Sequence, residues 1–194
     1  MVFFLLALGM ALAVPANAAS PRLRMDYYWP ETPTTVYFTC QFEGTERTAC
    51  QYPMGAWNNV LAFDGDRMVR LEMVRNPSEP YSEINFKYDN SGAAAYCDPH
   101  PQTGPLTWVE IWVNTKYSYT VGAQSGTRDL QSLIVHELGH ALGVAHCHSL
   151  DSTTPCFSST CTSNVMNPSV PKGKNRRVLT DYDKSSYRVI YDMY

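Results

Sequence analysis

The sequence predicts an α+β fold, and three observations carry that prediction. Period-two alternation dominates the first half, helical periodicity the second, and the order along the chain is strand, helix, several strands, long helix, loop, helix. A length of 194 residues suits one core and is short for two.

Residues 1–19 carry no charge, and 2–14 are apolar apart from Gly9. Ala16-Asn17-Ala18 places small residues at −3 and −1 of a cleavage point, so residues 1–19 are expected to be a secretory signal peptide. Residues 20–194 are then expected to form a single domain. The usual positive n-region is missing from this start. The apolar run is short for a membrane span of about 20 residues, and no other segment is apolar enough.

Residues 21–33 read as an extended lead-in, since Pro30 and Pro33 break any helix. Residues 34–40 are β-branched and aromatic and read as a first strand. Gly44 marks a loop. Residues 53–63 place Trp57, Val60 and Leu61 at i, i+3 and i+4, an amphipathic helix with Pro53 in its first turn. Asp64-Gly65 reads as a turn. Residues 68–74 alternate, Val69, Leu71 and Met73 against Arg70 and Glu72; a second alternation sets Ile84, Phe86 and Tyr88 against Asn85 and Lys87. Residues 93–105, with Cys97, His100 and several prolines, read as irregular. Residues 108–113 are a further core strand. Thr127 is placed to cap the long helix and Asp129 suits its first turn. Leu130, Leu133, Ile134, Leu138, Ala141 and Leu142 supply its buried flank. After a Ser-, Thr- and Cys-rich loop, Thr180-Asp181-Tyr182-Asp183 resembles a capping box opening a last helix with Tyr187, Ile190 and Tyr191 on one side.

Composition excludes several classes of function. Apolar residues make up 44% and charged residues 17%, a globular balance. Net charge is −3, and the short basic cluster at 172–177 reads as a solvated loop, so no nucleic-acid footprint is expected. Six cysteines in an exported chain point to disulfides. Of fifteen possible full connectivities, the local expectation is Cys40 with Cys50 and Cys156 with Cys161, which would leave Cys97 for Cys147; the rival reading makes some of these thiols metal ligands, although none has C-x-x-C spacing.

The chemistry is concentrated in His136-Glu137-Leu138-Gly139-His140-Ala141-Leu142-Gly143-Val144-Ala145-His146. On a helix, His136 and His140 share one face with Cβ atoms about 5–6 Å apart. Two imidazoles so placed can reach one zinc ion at about 2.0–2.1 Å. Glu137 points roughly 100° away from His136, beside the metal, where a general base for an activated water belongs. Gly143 tolerates a left-handed conformation, so it can end the helix and return His146 as a third ligand. An open fourth position marks a catalytic zinc site. The plain alternative is a helix with two satisfied histidines and a surface glutamate.

The pattern H-E-x-x-H-x-x-G-x-x-H, followed by Met166 in Ser163-Asn164-Val165-Met166-Asn167-Pro168, resembles the metzincin proteases, most of all their matrixin branch. Supporting similarity lies in Trp57, Glu83-Ile84-Asn85-Phe86, Ile111-Trp112-Val113-Asn114 and Leu179-Thr180-Asp181-Tyr182-Asp183. The resemblance implies a zincin-like twisted mixed sheet with helices behind it and a small C-terminal part carrying a methionine turn. It implies a secreted zinc endopeptidase with His136, His140 and His146 as ligands, Glu137 as base and proton shuttle, and Met166 as a hydrophobic floor. One catalytic Zn2+ is expected, and Ca2+ is compatible with the family although no loop has convincing ligand spacing. The expected partner is an extended peptide or protein substrate, and a monomer is expected. A secreted, non-catalytic metal-binding or adhesive module on the same fold is the alternative, and a zinc protease with a distant glutamate as third ligand is the rival among enzymes.

The departures matter. About fifteen residues separate the expected cleavage point from the first strand, which leaves no room there for a matrixin pro-domain. Position 147 is Cys where matrixins usually carry Ser, so a thiol stands ready either to ligate the metal or to join a disulfide. The structural-zinc stretch of matrixins is not matched, and His100 and His148 are expected on the surface. Pro168-Ser169-Val170 lacks the usual pocket-wall tyrosine, so pocket preference does not carry over.

Overall fold

A five-stranded sheet organises the chain, in the order β3-β2-β4-β7-β5. The computed structural model describes residues 25–30, 34–60, 69–75, 82–87, 90, 92–147 and 162–191. The expected signal peptide, the Asp64-Gly65 turn, Tyr88, His148 and the Cys156–Cys161 pairing lie outside the described residues.

In chain order the elements are β1 (Tyr27–Tyr28), β2 (Thr34–Cys40), α1 (Gly44–Asn58), β3 (Val69–Met73), β4 (Ser82–Lys87) and β5 (Ala95–His100). There follow β6 (Gly104–Pro105), β7 (Trp108–Asn114), β8 (Tyr119–Thr120), β9 (Arg128–Asp129), α2 (Leu130–Ala141) and α3 (Asp181–Tyr191). In the five-stranded sheet β2, β3, β4 and β7 are mutually parallel, and β5 runs antiparallel along the β7 edge. Alternation sets the faces. Val109, Ile111 and Val113 of β7 are fully buried, while Trp108, Glu110 and Trp112 between them face outward.

The helices lie against the inner face, locked by aromatic side chains. The Trp57 indole donates to Val135 O at 2.8 Å, tying α1 to α2. Tyr187 of α3 stacks edge-on to Trp57 at 5.8 Å, and its hydroxyl spans the Val69 N–H and C=O. Trp29 and Tyr191 donate to Ala141 O and Leu142 O, gripping the end of α2. Each polar tip on these large apolar bodies finds a partner, so burying them leaves no orphaned donor.

Four expectations need correction. Helix α1 starts at Gly44, well before Pro53, which sits inside it. Ala49, Cys50, Met54 and Trp57 form its buried face, and Cys50 is bonded to Cys40 at the end of β2. That packing outweighs the lost proline donor, and the crosslink contributes about 2–4 kcal/mol. Residues 95–100 are not irregular but form edge strand β5. Pro99 is tolerated there because an edge strand has one side free of ladder bonds. The N-cap of α2 is Asp129, whose carboxylate accepts from Ser132 N; Thr127 bonds Gln124 O instead. Finally, Cys97 is not in a disulfide, so the expected pairing with Cys147 is not made. Cys97 faces Tyr27 from β5, whereas Cys147 lies under the chain at Met166.

Candidate metal centre

The helix α2 is enclosed: Leu130 and every residue from Ser132 to Ala141 are buried, His136, Glu137 and His140 among them. It ends as glycine dictates. Gly143 has φ +81°, its N–H donates to His140 O, and Val144 N–H donates to Gly139 O. A Cβ on Gly143 would lie 3.0 Å from Tyr27 O, so side chains are excluded twice over.

This reversal brings His146 back. Its Nε2 lies 3.2 Å from Nε2 of His136 and 3.0 Å from Nε2 of His140. The far ring nitrogens are anchored on main-chain carbonyls, His136 Nδ1 on Val165 O at 2.7 Å and His140 Nδ1 on Val144 O at 2.8 Å. Those carbonyls assign the protons to Nδ1, so Nε2 of both rings is bare. Burial holds both imidazoles below their ordinary pKa, His140 further because His136 and His146 adjoin it. Bare lone pairs facing one another repel unless a cation lies between them. Four ligands around zinc at about 2.0–2.1 Å stand about 3.3 Å apart, close to the spacing seen. The three rings therefore fit a metal ion.

Glu137 is buried next to the first ring, and in the metal-free protein burial pushes its carboxyl from 4.5 up to about 8 despite a hydrogen bond from the Cys97 main chain; a cation among the rings would favour the ionised form. Tyr27 and Cys97 lie beside Glu137. Burial, then the adjoining Cys97 and Glu137, raises the Tyr27 hydroxyl far above its ordinary value; burial, then Glu137 and Asp98, raises the Cys97 thiol despite the hydrogen bond with Tyr27, so both are neutral.

Supports for the ring cluster come from distant parts of the chain. Asp183, wholly buried, accepts from the N–H groups of Val165 and Met166, both at 3.1 Å, and from Thr180 N at 2.8 Å. The turn that offers Val165 O to His136 is thus held by the first turn of α3. Met166 is packed under α2 so closely that a Cβ on Gly139 would lie 2.3 Å from its sulfur. Asp129 is bonded twice by Arg177, at 2.5 and 2.7 Å, and also accepts from Gly122 N and Ser132. Burial alone would raise its carboxyl, but Arg177 and these donors hold it below its ordinary value.

The cleft in front of the rings has a volume of about 550 Å³. One wall is residues 92–97, leading into edge strand β5; another is Pro168, Ser169 and Val170; Leu133 and Arg128 close it at the start of α2.

Among solved structures, one of myroilysin matches with a TM-score of 0.52 at 18% identity, covering 84% of this chain and 82% of that chain. A second structure of myroilysin, at 16% identity and a TM-score of 0.49, is covered over 92% of its length by 89% of this chain. The likeness to the first is one of fold. No protein-family model matches, and no curated protein sequence does.

All four residues singled out from the motif meet in this cleft, and Met166 lies beneath it. Cys147 is not in the ring cluster; its N–H donates to Met166 O and its thiol lies against Asn164. His100, expected alone on the surface, is stacked flat on Trp108 at 4.0 Å, with Asp98 and Glu110 ligand-type atoms within 4.8 Å. That group is half-exposed on the outer sheet face, away from the cleft. Tyr27, Cys97, Arg128 and the Asp129–Arg177 pair escaped the sequence reading. Cys97 entered it only as an expected disulfide partner, and Asp129 only as an acid near a helix start.

Proposed function

We propose that the protein is a secreted zinc endopeptidase of metzincin type, a monomer whose residues 20–194 form one catalytic domain once residues 1–19 are removed. His136, His140 and His146 hold the ion, and Glu137 is the general base. The observation that carries this reading is the convergence of three imidazoles, with Nε2 of His146 at 3.2 and 3.0 Å from Nε2 of His136 and His140, and with Nδ1 of His136 and His140 anchored on main-chain carbonyls. The matrixin-like traits rest on sequence residues alone, among them Trp57 and the run from Leu179 to Asp183.

A zinc ion in this donor set supplies Lewis acidity and brings a water's pKa from about 15.7 towards about 7. Glu137, one residue past the first ligand, takes the proton of the attacking water and delivers it to the leaving amine. The Cys97 N–H steadies that carboxylate from across the cleft. Burial of Glu137 keeps bulk water from competing for the proton. Substrate lies extended along β5, whose outer edge carries main-chain groups without a neighbouring strand among the described residues. Met166, pressed against Gly139, is the floor beneath the rings.

The uncharged, apolar residues 1–14 and the Cys40–Cys50 disulfide support export. No helix among the described residues is long and apolar enough to cross a membrane.

The test is digestion of casein by the purified protein, with its metal content measured by mass spectrometry. Bound zinc with cleavage that a chelator abolishes and zinc restores is the expected result. Glu137→Gln should keep the ion and lose cleavage. A zinc-loaded protein inert towards every peptide overturns the enzyme reading in favour of a binding module, and unchanged metal content in His146→Ala removes the third ligand.

A further inference from the structure

The cleft carries a cation that no acid of the described chain answers. Arg128 lines the same cavity as the three rings. Its neighbour Asp129 is already engaged by Arg177. The ion pairs among the described residues are Arg70–Glu72, His100–Asp98, Arg177–Asp129 and Lys184–Asp181, and none involves Arg128. The guanidinium is nonetheless held in place. Its Nη1 donates to Val170 O at 2.6 Å, and its carbon lies 5.2 Å from the centre of the Tyr117 ring. Its Nε is buried with no hydrogen-bond partner. A fixed, half-buried guanidinium with a donor to spare is a poor choice for stability, because desolvation goes uncompensated.

Its surroundings point towards a carboxylate ligand. The wall opposite α2 is held by two arginines, Arg128 on Val170 O and Arg176 on Ser169 O. The rest of that recess is Leu133, Pro168 and Val170, which bring no negative charge. Among the described residues the one carboxylate lining the cleft is Glu137, and it is occupied by the Cys97 main chain on the β5 side. A planar fork stacked on an aromatic ring recognises a carboxylate in two-point fashion.

We propose that Arg128 makes this cleft select substrates with a glutamate or aspartate side chain beside the scissile bond. The inference rests on the peptidase reading and names its substrate class. The side chain enters between α2 and residues 168–170, its carboxylate meets the Arg128 fork, and the apolar lining receives its methylenes. Selection is electrostatic, so it weakens as salt rises.

The experiment uses the zinc-loaded full chain and paired peptides that differ only by Glu or Gln at the selected position, found by mapping cleavage sites in a peptide library or, where nothing is cut, by affinity selection from that library. Acidic residues should be enriched at one position flanking the cut, and kcat/KM for the Glu peptide should exceed that for Gln by about tenfold or more, chiefly through KM. Arg128→Gln should erase the difference, and Arg128→Lys should recover part of it. Equal kcat/KM for the pair in the parent protein, or an equal loss on both peptides in a folded Arg128→Gln, overturns the proposal. Binding separates the two readings: in zinc-loaded Glu137→Gln, the Glu peptide should bind about tenfold tighter than the Gln peptide. Equal binding defeats the Arg128 assignment whether or not the parent cleaves. Selective binding without any cleavage by the parent defeats the peptidase reading alone.

Discussion

Nδ1 of His136 lies 2.7 Å from the carbonyl oxygen of Val165, a residue 29 positions away in sequence. That contact fixes the ring's tautomer and aims Nε2 at the other two imidazoles. Val165 is in turn held by Asp183, through its own N–H at 3.1 Å. Asp183→Ala removes the acceptor for Val165, Met166 and Thr180 together. Metal affinity should fall about 10–100-fold, the usual cost of losing an outer-shell partner. Competition with a chromophoric chelator measures it, and an unchanged affinity would show that the α3 contact does not orient the ring.

Glu137 gives a pH signature in the metal-free protein. Its carboxyl is raised from 4.5 to about 8 by burial, so the folded state keeps a proton that the unfolded chain loses. That contribution to stability is complete below pH 4.5 and is lost as pH rises towards 8. Buried His136 and His140 have the opposite sign, since their values are lowered. The difference between parent and Glu137→Gln isolates the carboxyl. In chelator, the parent's melting temperature should fall relative to the variant across that interval. Parallel pH profiles would sink the claim.

Asp129 anchors the start of α2 through Ser132 N and the two-point Arg177 bond. Asp129→Ala leaves Arg177 without its partner and removes the cap. The loss should be about 3 kcal/mol, the low end for breaking a buried pair, because Arg177 is itself 30% exposed. Urea unfolding gives the figure. The stability difference between parent and Asp129→Ala isolates that carboxylate: it should hold above the ordinary carboxylate value and shrink only as pH falls below it, since the folded-state value is depressed.

Gly139→Ala is a further check, with two effects of opposite sign. Alanine favours a helix over glycine by up to about 1 kcal/mol. Here the new methyl would lie 2.3 Å from the Met166 sulfur and 2.8 Å from the Trp57 ring. Met166 is flexible, but Trp57 is fixed by its bond to Val135 O, so overpacking of about 1–3 kcal/mol should win. A double-mutant cycle with Met166→Ala should show favourable coupling. A more stable Gly139→Ala protein would mean that the methionine does not press on the helix.

Local chemistry was readable in advance. His136 and His140 share a face because a helix repeats every 3.6 residues, and Gly143 ends that helix because it lacks a Cβ. The alternation of β3 and β7 and the apolar side of α3 were equally plain, since burial on one face leaves a period in the residues themselves. Tertiary structure decided what has no period. Pro99 joined a strand because β7 was there to pair with it, and α1 ran through Pro53 because its packing and a disulfide outweighed one lost hydrogen bond. The carbonyl that orients His136, the acid that holds that carbonyl's turn, and the arginine left without an acid in the cleft all depend on segments brought together only by folding. Main-chain carbonyls look alike in every sequence, so which one a ring will meet is settled by the path of the chain through space.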